Sequence, residues 1–277
     1  MFQFRALAAL LSPYLTGSFG SWWQNQVETF DLENASWLQE FIYEFDRNFI
    51  REDRWLSLFK GLFNTLYITF FAVLLGIAIG IVIALVRSTY DKNYSEMKQQ
   101  GGIGRWILAF FNGICNVYLA VIRGTPVVVQ LLIMYFIIFE SSTNGIMVAV
   151  IAFGVNSGAY VAEIFRGGIM AVDHGQFEAG RSLGFNYIQT MIYIVIPQMF
   201  KTVLPTLCNE FIVLLKETAV AGYVGIADLT KAGDLIRGRT FSAFMPLIAV
   251  AVIYFVIVMI FTKLVGKLER RLRKSDR

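Results

Sequence analysis

Five regions of this chain are apolar for long enough to cross a bilayer, and no other feature restricts its fold so severely. A hydrocarbon core about 30 Å thick takes about 20 mostly apolar residues in helical form. The first run, Leu62 to Val86, would reach about 37 Å at 1.5 Å per residue. The second comes in two pieces, Trp106 to Ile122 and Val127 to Phe139, divided by Arg123-Gly124-Thr125-Pro126. Those pieces make either one kinked span or an interfacial helix followed by a short span. Three more follow: Ile146 to Phe165, Met191 to Leu215 with Pro197 and Pro205 inside it, and Phe244 to Leu264. Hydrophobic residues make up 56% of the chain and charged ones 16%, against roughly 45–50% apolar in soluble domains. The expected fold class is an all-α polytopic membrane protein of about five transmembrane helices.

The polar residues fit that frame. The formal charge is +4, but the cations flank apolar runs instead of forming a patch with interleaved aromatics, so nucleic acid is not expected as a partner. Cys115 and Cys208 lie in apolar surroundings without a CxxC partner and read as small hydrophobes. Met1 to Leu15 holds only a short apolar run, below the length of an ordinary signal-peptide core, and cleavage is not expected. Between Gly17 and Lys60, Trp37, Leu38, Phe41, Ile42 and Phe45 recur at helical spacing opposite Glu40, Glu44 and Asp46. That pattern suits an amphipathic helix on a surface, or equally a solvated cap. Gly76 and Gly80 form a GxxxG pair, which permits close helix packing. Short cytoplasmic loops are enriched in Lys and Arg, and the tail carries Lys263, Lys267, Arg270, Arg271, Arg273, Lys274 and Arg277. The C-terminus is therefore expected inside and, with five spans, the N-terminus outside. The basic segment 87–105, broken at Gly101-Gly102, and the polar interval 166–190 then face the cytoplasm, and 217–243 the exterior.

The interval inside contains Glu178-Ala179-Gly180-Arg181-Ser182-Leu183-Gly184 and then, with nine residues between, Ile194-Val195-Ile196-Pro197. A small-residue helical stretch ending in a flexible glycine makes a short knob that another protein can grip. This pattern resembles the inner-membrane permease subunits of ABC importers. Their signature is Glu-Ala-Ala, three residues, Gly, nine residues, then Ile-x-Leu-Pro; here Gly180 replaces the second Ala and Ile196 the Leu. Gly61-Leu62-Phe63-Asn64-Thr65-Leu66, the segment from Arg123 to Gln130, and that from Ser157 to Ile169 are similar to the permeases for histidine, glutamine, arginine and related polar amino acids. Leu215-Lys216-Glu217-Thr218-Ala219 is a looser match, where that family often has Lys-Asp-Thr-Ser-Leu.

The resemblance runs from about Lys60 to the end. It divides the chain into an extracytoplasmic N-terminal segment, 1–60, and a permease domain, 61–277, with a coupling loop at about 166–190. It implies a type I importer permease fold in a bacterial cytoplasmic membrane, and a second permease subunit, identical or sister. It also implies ABC ATPase subunits, an extracytoplasmic substrate-binding protein and a polar amino acid as substrate. By resemblance the loop docks on the ATPase, with Glu178 as polar anchor, Ala179 and Gly180 as small packing residues and Gly184 as the turn. No Gly-x-x-x-x-Gly-Lys-Ser/Thr loop is present, so ATP and Mg belong to the partner ATPase and this chain is expected to need no cofactor.

An ionisable group inside the membrane costs at least about 2.5–3.5 kcal/mol and normally faces a partner or a wet cavity. The candidates are Arg123, Glu163, Arg166, Lys201, Glu210, Lys216 and Glu217. Asn156, Tyr160 and Glu163 share one helix face, as do Glu210 and Glu217. Arg123, Thr125, Asn156, Tyr160, Glu163, Glu210, Lys216 and Glu217 are the expected substrate pathway. A zwitterion needs acceptors for its ammonium and donors for its carboxylate, and Glu163, Glu217, Arg123 and Lys216 supply both. Equally, Glu163 and a cation make an interhelical tie. His174 lacks a ligand cluster, and no nucleophile, base and orienter set is visible, so neither a metal nor a catalytic site is expected. Two rivals remain: an ion-coupled secondary transporter, which leaves the cytoplasmic motif unexplained, and a membrane enzyme using Glu163 or Glu217, which lacks a second convergent group.

Overall fold

Lipid offers no hydrogen bonds, so an apolar run must satisfy its backbone within itself. The computed structural model describes residues 18–28, 36–100 and 103–274. Met1 to Gly17 and Gly101-Gly102 lie outside the described residues. In chain order the helices are α1 (Ser18–Glu28), α2 (Trp37–Phe45), α3 (Trp55–Gln100), α4 (Ile103–Gly124) and α5 (Val127–Ile138), then α6 (Gly145–Ala171), α7 (His174–Ser182), α8 (Tyr187–Val224), α9 (Leu229–Thr240) and α10 (Phe244–Lys274). Among the described residues, α3, α4, α6, α8 and α10 are long and apolar enough to cross a membrane.

Several ends differ from the apolar boundaries. α3 does not stop near Val86: it continues to Gln100 as helix, because no Gly or Pro interrupts the polar residues that follow and such residues are adequate helix formers in water. The same reasoning carries α10 to Lys274. The divided region is a broken crossing. Tyr118 on α4 donates to the Val155 carbonyl on α6, Gln130 on α5 pairs with Asn156, and Tyr135 packs at Gly145. The interruption at Gly124-Thr125-Pro126 therefore sits beside the middle of α6. α8 absorbs Pro197 through a wide π turn at Met191–Val195 just before it, a common accommodation where a ladder bond is lost.

The core is the parallel pair α3 and α6. Gly76 faces Ser157 and Gly80 faces Val161, while Gly154 and Gly158 receive Leu75 and Ile79 in return. A Cβ on Gly80 would lie 2.5 Å from Val161 Cγ1 and 2.9 Å from the Ala162 backbone nitrogen. Gly80→Leu is expected to destabilise by about 1–3 kcal/mol through overpacking, seen as a lower melting midpoint in detergent. Gly113→Leu on α4, where no atom lies within 4 Å of the added Cβ, should leave the midpoint unchanged. α8 runs antiparallel to α6, with Glu210 at Ser157 and Val203 against Gly168.

At the end of the bundle away from α7, the start of α3 clamps the turn before α9. Gly61 leaves room for the Asp228 carbonyl, Asn64 donates to the Ala227 carbonyl at 2.9 Å, and Thr65 Oγ1 accepts from the Leu229 amide at 3.1 Å. Residues 42–49 dock on the same corner. Phe49 is buried with Leu58, Leu229 and Ile236. Asn48 is fully buried, accepting from Thr240 Oγ1 at 2.7 Å and donating to the Glu44 carbonyl at 2.7 Å. On α2, Ile42 and Phe45 turn inward while Trp37, Leu38 and Phe41 are exposed, and Asp46, expected on the polar side, is buried and paired with Arg51.

Asp228 caps α9, accepting from the Thr230 and Lys231 amides at 3.0 and 3.1 Å. Burial pushes its carboxyl above the ordinary range, against the opposing pull of those amides. The folded state thus holds the proton to higher pH than the unfolded chain. Its contribution is full below the usual carboxylate value of about 4 and is lost as pH rises through the raised value. Asp228→Asn keeps an acceptor but cannot ionise, so the fall in melting midpoint across that window should shrink in the variant.

Candidate functional site

Two polar regions stand out in this apolar chain: the knob at α7 and a layer across the middle of the bundle. The knob begins where the Asp173 side chain accepts from the Gly175 amide at 2.7 Å, stopping the backbone bonds of α6 and starting those of α7. Phe177 is its root, buried among Phe165 and Ile169 of α6 and Met191, Val195, Met199 and Val203 of α8. Glu178, Ala179, Ser182 and Leu183 are exposed, with Leu183 71% accessible. His174 pairs with Glu178 at 3.2 Å. The helix ends in a Schellman pattern: the Phe185 amide donates to the Gly180 carbonyl at 3.0 Å and the Gly184 amide to Arg181 at 2.9 Å. Gly184 has φ +82°, a conformation most side chains resist.

Gly180 faces its own chain. An added Cβ would lie 2.7 Å from Thr190 Cγ2 and Oγ1, which accounts for glycine where alanine is usual in the resembling permeases. Of the four residues expected to form the coupling surface, Glu178, Ala179 and Gly184 are outward, and Gly180 packs inward.

The membrane layer is built on Gln130. Its amide nitrogen donates to Ile122 O at 2.7 Å and to Thr125 Oγ1 at 2.8 Å, and its oxygen accepts from Asn156 at 3.0 Å. One side chain thus ties the end of α4, the break and α6 together. Next to it, Ser157 donates to Glu210 at 3.0 Å, joining α6 to α8. The Arg123 guanidinium lies over the Tyr160 ring, 5.7 Å from its centroid. Glu163 accepts from Arg87 with one oxygen and from Arg166 at 3.0 Å with the other, and Arg166 also reaches Asp91 at 3.7 Å.

The eight pathway residues therefore do not converge on one point. Thr125 joins Asn156 through Gln130, and Arg123 meets Tyr160. Because α8 is antiparallel to α6 with Glu210 level with Ser157, Glu217 and Glu163 lie about two turns away in opposite directions, roughly 20 Å apart along the bundle. Lys216 is exposed beside Glu217. Gln130, Ser157 and Arg87 join the expected pathway residues through direct contacts to Asn156, Glu210 and Glu163. The first two are polar residues inside apolar runs, a signal visible in sequence; Arg87 directly follows the apolar run that ends at Val86 and has no such mark.

α8 also carries a stripe that neither α6 nor α10 covers. Thr202, Thr206, Asn209, Val213 and Lys216 are all exposed and follow one another at three- and four-residue spacing. Polar groups at membrane depth face a bundle interior or water, not lipid tails. Among the described residues no group of three or more His, Cys, Asp or Glu is arranged to hold a metal ion.

Residues 102–274 match the family described as the binding-protein-dependent transport system inner membrane component. The arginine transport system permease protein ArtQ of Bacillus subtilis is 38% identical over 169 residues, covering 60% of this chain and 77% of that protein. The glutamine transport system permease protein GlnP of Escherichia coli is 36% identical over 175 residues, covering 61% and 78%. A crystal structure of an amino acid ABC transporter with histidines superposes with a TM-score of 0.68 at 39% identity, over 86% of this chain and 99% of that one. The inward-facing MetNI methionine ABC transporter shares the fold at 18% identity, with a TM-score of 0.67 over 80% of this chain and 98% of its own.

Proposed function

This chain belongs to the binding-protein-dependent transport system inner membrane components, and from that premise we propose that it imports polar amino acids as one half of a permease pair enclosing a water-filled path. As a member it is a multi-pass inner-membrane permease of an ABC importer. It translocates substrate while a separate subunit hydrolyses ATP, and it works with an ATPase and a binding protein. The amino acid class rests on the named relatives, which handle arginine and glutamine.

The observation that supports the pair is the exposed polar stripe on α8. Two threonines, an asparagine and a lysine would each be costly against hydrocarbon. A second permease subunit, identical or sister, facing the stripe across water removes that cost. Glu210 flanks the stripe, between Thr206 and Val213, and is the acceptor for a substrate cation. Arg123, exposed beside the break, is the donor for a substrate carboxylate. The basic tail and α7 lie inside, the N-terminus outside, and ATP with Mg stays on the ATPase. Closure of the ATPase moves α7, and Phe177 passes the shift to α6 and α8 through the cluster they share.

The pairing is tested with Asn209→Cys and, separately, Val256→Cys on α10, each placed at the matching position of both permease subunits after Cys115 and Cys208 are replaced by serine, in membranes containing the ATPase partner. Oxidation should link permease subunits through position 209 and not through 256. Absence of a link at 209 while ATP-driven uptake continues would remove the stripe from the interface.

A further inference from the structure

α2 has no task in translocation, yet the residues that follow it, Asn48 and Phe49, anchor it to the bundle, and its outward face carries aromatic rings. Trp37 is 77% exposed and Phe41 50%. Across a hollow of about 390 Å³ from them stand Phe244 and Met245, the first residues of α10. Phe244 is 71% exposed, and Phe241, three residues before it, is 91% exposed with φ +54°. A bulky residue in the left-handed region is an outlier. Here it sits at the corner between α9 and α10, projecting a ring into the surroundings.

The depth of this cluster follows from α10. From Phe244 to Lys263, the first cation of the span, is 19 residues, or about 29 Å of helix, close to the hydrocarbon thickness of about 30 Å. Phe244 therefore lies at the edge of the bilayer. Below it Leu247, Ile248, Val252 and Phe255 are exposed along the same helix, so the apolar surface of the span runs up to the hollow, where the rings of α2 stand among the polar residues Glu40, Glu44 and Ser242. The Asn48–Thr240 bond and the buried Phe49 fix α2 at that level.

We propose that Trp37, Phe41, Phe241 and Phe244 form an aromatic foot that inserts into the headgroup and carbonyl layer of the leaflet at the end of the protein opposite α7. Its occupant is phospholipid. Aromatic rings with one apolar body favour that layer, and its wet, polar character also accommodates Glu40, which lies on the same exposed face of α2 as Trp37 and Phe41. The N-terminal segment thus clamps the α9 corner to the membrane plane, so that the bundle moves against a fixed outer edge.

The test uses the full chain in vesicles, reading the difference in tryptophan emission between wild type and Trp37→Phe, a substitution that keeps a ring and the fold. With phospholipid brominated near the carbonyl end of the chains, the difference emission should fall severalfold relative to unbrominated vesicles. The fall should be smaller with bromines deep in the chains, and aqueous acrylamide should have little effect. Phe41→Trp in the Trp37→Phe background should repeat the result. Emission that ignores brominated lipid and is quenched by acrylamide would overturn the proposal by placing the face in water. Shielding that appears only on addition of the binding protein would overturn it in favour of a protein contact.

Discussion

Gly184→Val is expected to cut ATP-driven uptake about tenfold or more while the permease still inserts and still copurifies with its ATPase. Gly184 closes α7 at φ +82° and carries one of the two Schellman bonds. A non-glycine residue in a left-handed conformation costs roughly 1–2 kcal/mol, and a β-branched one lies at the unfavourable end. That is enough to release the last turn, since about 1.4 kcal/mol is a tenfold change in an equilibrium. Once released, the exposed Leu183 and its neighbours no longer present one fixed surface. Size is not the difficulty, because no atom lies within 4 Å of an added Cβ. Gly184→Asn is the informative control, as asparagine tolerates this conformation, and it should retain most of the coupling. Uptake of a labelled amino acid into proteoliposomes, with ATP hydrolysis followed in parallel, separates lost coupling from lost assembly. Normal uptake in the valine variant would take Gly184 out of the coupling path.

The spans and the short helix that ends in a left-handed glycine were legible because each rests on local rules. An apolar run of sufficient length has one way to satisfy its backbone in lipid, and a glycine that must be left-handed leaves a mark at fixed spacing. The helix ends were not legible: Ser88 to Gln100 reads as a loop by polarity, yet nothing in it stops a helix that has already begun. Gly61, Asn64 and Thr65 could be seen as a family segment, but their work is to satisfy the backbone around Asp228, some 160 residues away. Pairing at that distance leaves no trace in local pattern. The polar residues inside the spans were the least legible. Asn156, Tyr160 and Glu163 do share a helix face, but partners on other helices send them to three different ends: Gln130, the Arg123 guanidinium, and the Arg87 and Arg166 pair.

That division leads to the second large effect. Glu163→Gln is expected to lower uptake of cationic and neutral amino acids by the same factor and to lower the melting midpoint, whereas Glu210→Gln should weaken cationic substrates alone. Both Glu163 oxygens already accept from guanidinium groups of this chain, one from Arg87 and one from Arg166, so its negative charge is matched within the bundle. A neutral amide would strand Arg87 between α3 and α6. Breaking a fully buried pair costs about 3–5 kcal/mol. With the two side chains 20% and 25% exposed, solvent screening reduces this to about 1–2 kcal/mol. Adding Arg87→Gln should recover part of the loss, a coupling that a substrate-contact role would not produce. Glu210 differs in having one serine donor, Ser157, and in lying next to the polar stripe. A charge-assisted bond from Glu210 to a substrate cation would be worth roughly 1.5–3 kcal/mol, about ten- to a hundredfold in uptake of a cationic substrate over a neutral one. Glutamine at 210 still accepts from Ser157, so the fold and the neutral substrate are spared. A Glu163→Gln protein that melts normally and loses only cationic uptake would reverse the assignment, placing Glu163 on the substrate and Glu210 in the frame.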